Sequence, residues 1–235
     1  MDHGAFRPPA FMHPTIALLF ALAGCTSTPA ETDRSGFVDA AQVVPGLIVD
    51  MRYFGSENFL GRPVAGYEAP ACLVTKETAA ALANAQKKLA ASGLGLKVFD
   101  CYRPRRAVAD FVAWAKDLSD QQRKAQHYPD VDKSRLFELG YIAERSGHSR
   151  GSTLDLTLID KTTGAEIDMG SPYDLFDPKS WPSDTSVSPT AQANRMRLQG
   201  VMTGNGFRPL KEEWWHFTLE REPYPETYFD FPVKR

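Results

Sequence analysis

Two imidazoles, His148 and His216, an aspartate seven residues after the first, Asp155, and a glutamate three residues before the second, Glu213, could do chemistry together. Two nitrogen donors and one carboxylate make the three-ligand set of a catalytic zinc, which keeps a fourth position open for water. A spare carboxylate beside such a centre can take the water's proton during attack on a carbonyl that the metal polarises. An arginine suits the oxyanion that then develops, and Arg103 follows the end of an expected strand. Each group also has a plainer reading. Asp155 alone fits a solvent-facing acid on a one-sided sheet, Arg103 a surface ion-pair partner, and Glu213 to His216 an ordinary aromatic core strand. Ser146 and Ser149 stand beside His148, and Gly147-His148-Ser149-Arg150-Gly151 spells Gly-x-Ser-x-Gly, but adjacent chain positions rarely orient a nucleophile and its base together, so a serine hydrolase is the weak reading.

The elements that must position these groups can be read from hydrophobic period. Ser152–Ile159 alternates, with Leu154, Leu156 and Leu158 on one side and Thr153, Asp155 and Thr157 on the other, so Asp155 lies on the polar face of a strand. Trp214 to Leu219 has strand composition. Residues three apart on a regular strand face opposite ways, so Glu213 and His216 converge only if Glu213 occupies a bend or bulge at the entry. Further strands are expected at Leu47–Tyr53 and Leu96–Phe99. Helices are expected from a Thr75 cap to about Ser92, from Pro104 with Val108, Phe111, Val112 and Ala115 as the buried stripe, and over Ala191–Thr203. Leu118 to Glu144 reads as loop with short helical pieces, and Gly164 to Pro189 as a long excursion over the surface. Helices set apart from a small central antiparallel sheet make the fold α+β.

Composition narrows the partners. Among 235 residues, 27 Lys and Arg stand against 29 Asp and Glu, a net charge of −2, so no basic excess favours nucleic acid or an anionic membrane. Hydrophobic residues at 43% and charged ones at 24% fit a globular domain rather than a disordered chain. Three cysteines exclude a four-cysteine zinc site and a disulfide-built miniprotein. Thr15–Ala23 is apolar but far short of the about 20 residues that span a bilayer as a helix. It suits the core of a secretory signal, and Leu22-Ala23-Gly24-Cys25 resembles a bacterial lipoprotein processing box. The expected organisation is a signal peptide at 1–24, a polar tether at 25–42 and a catalytic domain at 43–235. The chain would then be exported and held on the bacterial envelope by a lipid on Cys25, facing the periplasm, with no transmembrane helix. In that oxidising setting Cys72 and Cys101 could pair or stay as two buried thiols.

The motifs taken together resemble one family. Ser146-Gly147-His148-Ser149-Arg150-Gly151-Ser152 to Asp155, followed by Glu213-Trp214-Trp215-His216, is similar to the signature of the zinc D-alanyl-D-alanine dipeptidases of the VanX type. Asp100-Cys101-Tyr102-Arg103-Pro104 resembles that family's arginine-bearing segment, and Tyr224 to Pro232 its C-terminal tail. The similarity spans about Gly46 to Lys234. It implies an α+β zinc peptidase fold shared with cell-wall carboxypeptidases and the hedgehog signalling domain, and one Zn2+ per chain. His148, Asp155 and His216 would hold the zinc, Glu213 would be general base, and Arg103 would stabilise the tetrahedral intermediate. Ser146, Asp174 and Tyr53 match positions that surround the dipeptide, and Asp174 suits its free ammonium. The implied activity is hydrolysis of D-Ala-D-Ala and similar D,D-dipeptides in peptidoglycan metabolism. A DD- or LD-carboxypeptidase acting on stem peptides is the rival, and a zinc-containing binding module without catalysis is a reading of another class. Cys101, where many relatives carry a small residue, and the lipoprotein-like leader are departures from the family.

Overall fold

The computed structural model describes residues 1–2 and 32–235. Residues 3–24 of the expected signal peptide, with its processing box, and Cys25 lie outside them, as does the first part of the tether. In chain order the strands are β1 (Phe37–Asp39), β2 (Ile48–Val49), β3 (Leu73–Thr75), β4 (Leu94–Asp100), β5 (Thr153–Asp160), β6 (Phe207–Pro209) and β7 (His216–Leu219). The helices are α1 (Ala40–Val43), α2 (Lys76–Ala90), α3 (Arg105–Lys116), α4 (Lys124–His127) and α5 (Pro189–Thr203).

The main sheet runs β2-β4-β5-β7-β6. It is antiparallel from β4 to β6, as the alternating pattern led one to expect, and β2 adds a parallel edge beside β4. Leu154, Leu156 and Leu158 share one face with Leu96, Val98, Phe217 and Phe207, and α2 and α5 cover that face. Thr75 caps α2 by accepting from the Thr78 amide, so the polar side chain ends the strand and starts the helix in one residue. Leu82, Ala85 and Leu89 of α2 and Leu198 and Met202 of α5 are buried against the sheet. On α3 the buried stripe is Ala107, Val108, Phe111, Trp114 and Ala115, with Pro104 as the residue before the helix.

Three expectations change. The folded domain starts before residue 43: β1 pairs with β3, and the Phe37 ring meets Tyr102, Phe229 and Phe231, so the last residues of the expected tether belong to the core. The Leu47–Tyr53 strand is regular only at Ile48–Val49, although Asp50 and Arg52 still donate backbone bonds to Val98 and Phe99. The segment 164–189 does not simply skirt the surface, because Met169, Tyr173, Asp174, Phe176 and Ser180 are buried. Arg195 of α5 holds it, donating to the carbonyls of Met169, Trp181 and Lys179 and to Ser171 Oγ. A buried guanidinium thus supplies the bonds that a strand ladder would otherwise provide.

Cys72 and Cys101 form a disulfide across 29 positions, tying the lead-in to β3 to the end of β4. No helix among the described residues is long and apolar enough to cross a membrane.

Candidate active site

The polar face of β5 carries the chemistry. Asp155 and His216 are direct cross-strand partners in the β5–β7 ladder, so their side chains emerge side by side on the face opposite the leucines. His148 comes from a 3-10 turn, Gly147–Arg150, just before β5. Ser146 Oγ caps that turn by accepting from the His148 amide, and Gly151 closes it at a φ of 78°. A Cβ on Gly151 would lie 2.1 Å from the Phe37 ring, so that position requires glycine on both counts.

The three ligand atoms form a nearly equilateral triangle. His148 Nε2 lies 3.3 Å from Asp155 Oδ1, His216 Nδ1 lies 3.1 Å from the same oxygen, and the two nitrogens are 3.4 Å apart. Zinc bonds of about 2.0–2.1 Å in a tetrahedron separate neighbouring ligand atoms by roughly 3.3 Å. His148 Nδ1 donates to the Cys101 carbonyl at 2.8 Å, which leaves Nε2 with its lone pair toward the triangle. Asp155 Oδ1 is buried and accepts no hydrogen bond, an orphaned acceptor that a cation would satisfy. The residues therefore fit a metal, and among the described residues they form the one cluster with such geometry.

Charge leads to the same conclusion. Asp100, Asp155 and Asp174 are buried and Glu213 joins them in the cleft, while Arg103 reaches only Asp100 and Asp155. Burial would push Asp155 up, yet His148 and then His216 hold its carboxyl well below the usual range. Burial lowers His216, but the carboxylates of Asp155 and Glu213 outweigh it and push the imidazole up to about 9. The surrounding carboxylates thus favour a positive charge on His216.

Glu213 sits in the turn before β7, not on the strand, so the condition for its convergence with His216 is met. Its Oε2 lies 3.3 Å from His216 Nδ1. The turn is anchored by Trp214, whose amide donates to the Ser180 carbonyl and whose indole donates to Ser171 Oγ.

Arg103 is held by Asp100, which accepts from Nε at 2.9 Å and faces Nη2 at 2.8 Å, and its guanidinium lies over the Phe111 and Tyr53 rings. Sequence reasoning gave Asp100 no role. A register shift between Val98 and Asp100 places Asp100 opposite Asp155; in an unbroken ladder it would have faced the leucine side. Tyr67 donates to its other oxygen at 2.6 Å.

Asp174 is brought to the same cleft by segment 164–189. It has a φ of 57°, and His127 Nδ1 bonds its carbonyl at 3.0 Å. Tyr53 donates to Asp174 Oδ2 at 2.8 Å. Burial, and then the charge of Asp155, raise the Asp174 carboxyl well above its ordinary value. Ser146 Oγ lines the cleft and receives Arg103 Nη1 at 3.4 Å, alongside its capping role. The cleft lined by His148, Asp155, His216, Glu213, Arg103, Asp174, Tyr53 and Ser146 has a volume of about 250 Å³. That is smaller than the roughly 300–1,000 Å³ typical of drug-sized ligands. A larger groove of about 840 Å³ adjoins it through Val108, Arg145 and Ser146 but contains none of the three ligands.

Residues 33–234 match the family model Peptidase_M15, D-ala-D-ala dipeptidase. The chain is 45% identical over 202 residues to the D-alanyl-D-alanine dipeptidase of Streptomyces coelicolor, covering 86% of this chain and 99% of that one. It is 41% identical over 199 residues to the D-alanyl-D-alanine dipeptidase of Enterococcus faecium, covering 85% and 98%. Among solved structures it aligns with the Zn(II) complex of the vancomycin-resistance D,D-pentapeptidase VanY at 13% identity and a TM-score of 0.39, over 66% of this chain and 77% of that one. So remote a likeness adds nothing to the family match.

Proposed function

The chain belongs to the D-Ala-D-Ala dipeptidase family, and from that premise we propose that its cleft hydrolyses free D-alanyl-D-alanine at one zinc held by His148, Asp155 and His216. The observation that carries this reading is the triangle of ligand atoms at tetrahedral spacing, flanked by a second carboxylate at Glu213 and a buried third one at Asp174. Zinc bound there would polarise the scissile carbonyl and bring a water's pKa to about 7.

The chain's own residues do the rest. Glu213 takes a proton from the attacking water at its carboxylate and returns it to the leaving amine. Arg103, fixed by Asp100, offers its guanidinium to the oxygen that becomes negative. Asp174, backed by Tyr53, receives the substrate's free ammonium, and Ser146 lines the cleft. An acylated amine carries no charge, so a buried carboxylate at that position disfavours N-blocked and longer peptides. The presence of Glu213 and Arg103 in the cleft argues against a non-catalytic zinc module.

The envelope location belongs to the same proposal. The apolar run and Cys25 box support export and lipid anchoring, and the Cys72–Cys101 disulfide supports an oxidising compartment. There the enzyme would meet dipeptides released from peptidoglycan.

The test measures free D-alanine released from D-Ala-D-Ala and from N-acetyl-D-Ala-D-Ala by the metal-analysed protein. Cleavage confined to the free dipeptide is expected. Cleavage mainly of the acetylated compound would make the enzyme a carboxypeptidase on the same centre.

A further inference from the structure

Asp155 has two carboxylate oxygens with different tasks. Oδ1 points into the ligand triangle and accepts no hydrogen bond. Oδ2 accepts from the Tyr173 hydroxyl at 3.2 Å, and Arg103 Nη2, at 3.7 Å, is beyond hydrogen-bond length. Which oxygen faces the metal position is therefore decided by what holds the other one. The same hydroxyl lies 3.2 Å from Tyr53, which in turn donates to Asp174. One phenol thus stands between the carboxylate of the metal trio and the pair that reads the substrate's ammonium.

The ring that carries this hydroxyl is fixed independently of it. Tyr173 stacks on Phe99 with centroids 4.6 Å apart and meets Trp215 edge-on at 5.3 Å. Phe99 is the residue at which the β4–β5 register shifts, so the shift that brings Asp100 to the site also supplies the platform under Tyr173. The aromatic contacts place the ring, and the hydroxyl then does something that packing does not require.

We infer that Tyr173 is a positioning residue for this centre: its hydroxyl, donating to Oδ2, turns Asp155 so that Oδ1 meets the metal. The inference rests on the reading that His148, Asp155 and His216 hold zinc. Outer-shell hydrogen bonds to ligating groups typically change metal affinity by about 10- to 100-fold.

Tyr173→Phe tests it, because phenylalanine keeps both ring contacts and removes only the hydroxyl. Zinc dissociation constants would be measured by chelator competition on the unchanged protein, on Tyr173→Phe and on Asp155→Ala, with melting of each metal-free protein alongside. The expected result is zinc held about 10- to 100-fold more weakly by Tyr173→Phe, with a metal-free melting temperature within about 4 °C of the unchanged protein. Equal zinc affinity in the two proteins overturns the assignment. So does weaker binding accompanied by a larger fall in melting, which would make the hydroxyl a structural bond. Failure of the unchanged protein to bind zinc, or full binding by Asp155→Ala, would overturn the metal reading itself.

Discussion

His148 donates from Nδ1 to the carbonyl of Cys101 at 2.8 Å, and Cys101 is bonded through its sulfur to Cys72. The disulfide thus braces the backbone oxygen that sets the tautomer and ring plane of His148, the histidine proposed to hold zinc. Cys101 also stands in the chain between Asp100 and Arg103, which form an ion pair at the cleft. Replacing both cysteines by alanine removes a cross-link over 29 positions, worth about 3–4 kcal/mol of unfolded-state entropy. Urea unfolding should show a loss of that size, and zinc should dissociate faster from the variant. Unchanged unfolding would mean that the pairing contributes nothing to stability.

Glu213 and His216 are 3.3 Å apart and have different assignments, so their substitutions should separate. Glu213→Ala should retain one zinc per chain and lose about 100- to 10,000-fold in kcat, the usual worth of a general base. His216→Ala should lose the metal. Metal analysis of the dialysed proteins beside turnover of D-Ala-D-Ala decides this. Retained turnover in Glu213→Ala would remove it as the base.

The parts of this site that were legible in the sequence are those whose position follows from local pattern. The alternation of β5 put Asp155 on the face away from Leu154, Leu156 and Leu158, and strand geometry stated the condition under which Glu213 could reach His216. Asp100 was not legible, because its facing depends on a register shift at Phe99 that no glycine or turn residue announces. Tyr173 was missed, and Asp174 was reached by family resemblance alone. The order of their segment comes from Arg195, about twenty residues downstream on another element, and leaves no period to read. β1 was hidden for a related reason: three residues beside a polar stretch carry little pattern, and only the distant rings of Tyr102, Phe229 and Phe231 make Phe37 a core residue.

Asp100 is fully buried and Arg103, half-buried above it, is its ion-pair partner, so truncating Arg103 strands a buried carboxylate. Arg103→Ala should therefore cost about 3–5 kcal/mol of stability in addition to activity. Arg103→Lys keeps the charge but cannot make the same two-nitrogen contact with Asp100. It should unfold nearly like the unchanged protein and still show kcat depressed by about 100-fold or more, the scale of one lost oxyanion donor. Chemical denaturation and steady-state kinetics on the two variants separate the roles. Full turnover in Arg103→Lys would leave Arg103 with only its structural one.

Asp174 offers a prediction about pH as well as specificity. Its folded pKa is raised by burial and then by Asp155, so the native metal-free protein binds a proton there that the unfolded chain has already released. The stability from that proton is complete below the unfolded carboxylate value of about 3.9 and is lost as pH rises toward the folded value. Asp174→Asn keeps a polar side chain in the same space without an ionisable proton. Its metal-free form should lack this downward slope and, at neutral pH, resist urea better than the unchanged protein. The same variant should raise KM for D-Ala-D-Ala by about 10- to 100-fold, the worth of a hydrogen bond to a charged group, while N-acetyl-D-Ala-D-Ala gains relative to it. Unfolding curves from pH 4 to 8 and the two KM values check both halves. If Asp174→Asn still prefers the free dipeptide to the same degree, the ammonium is read by another residue.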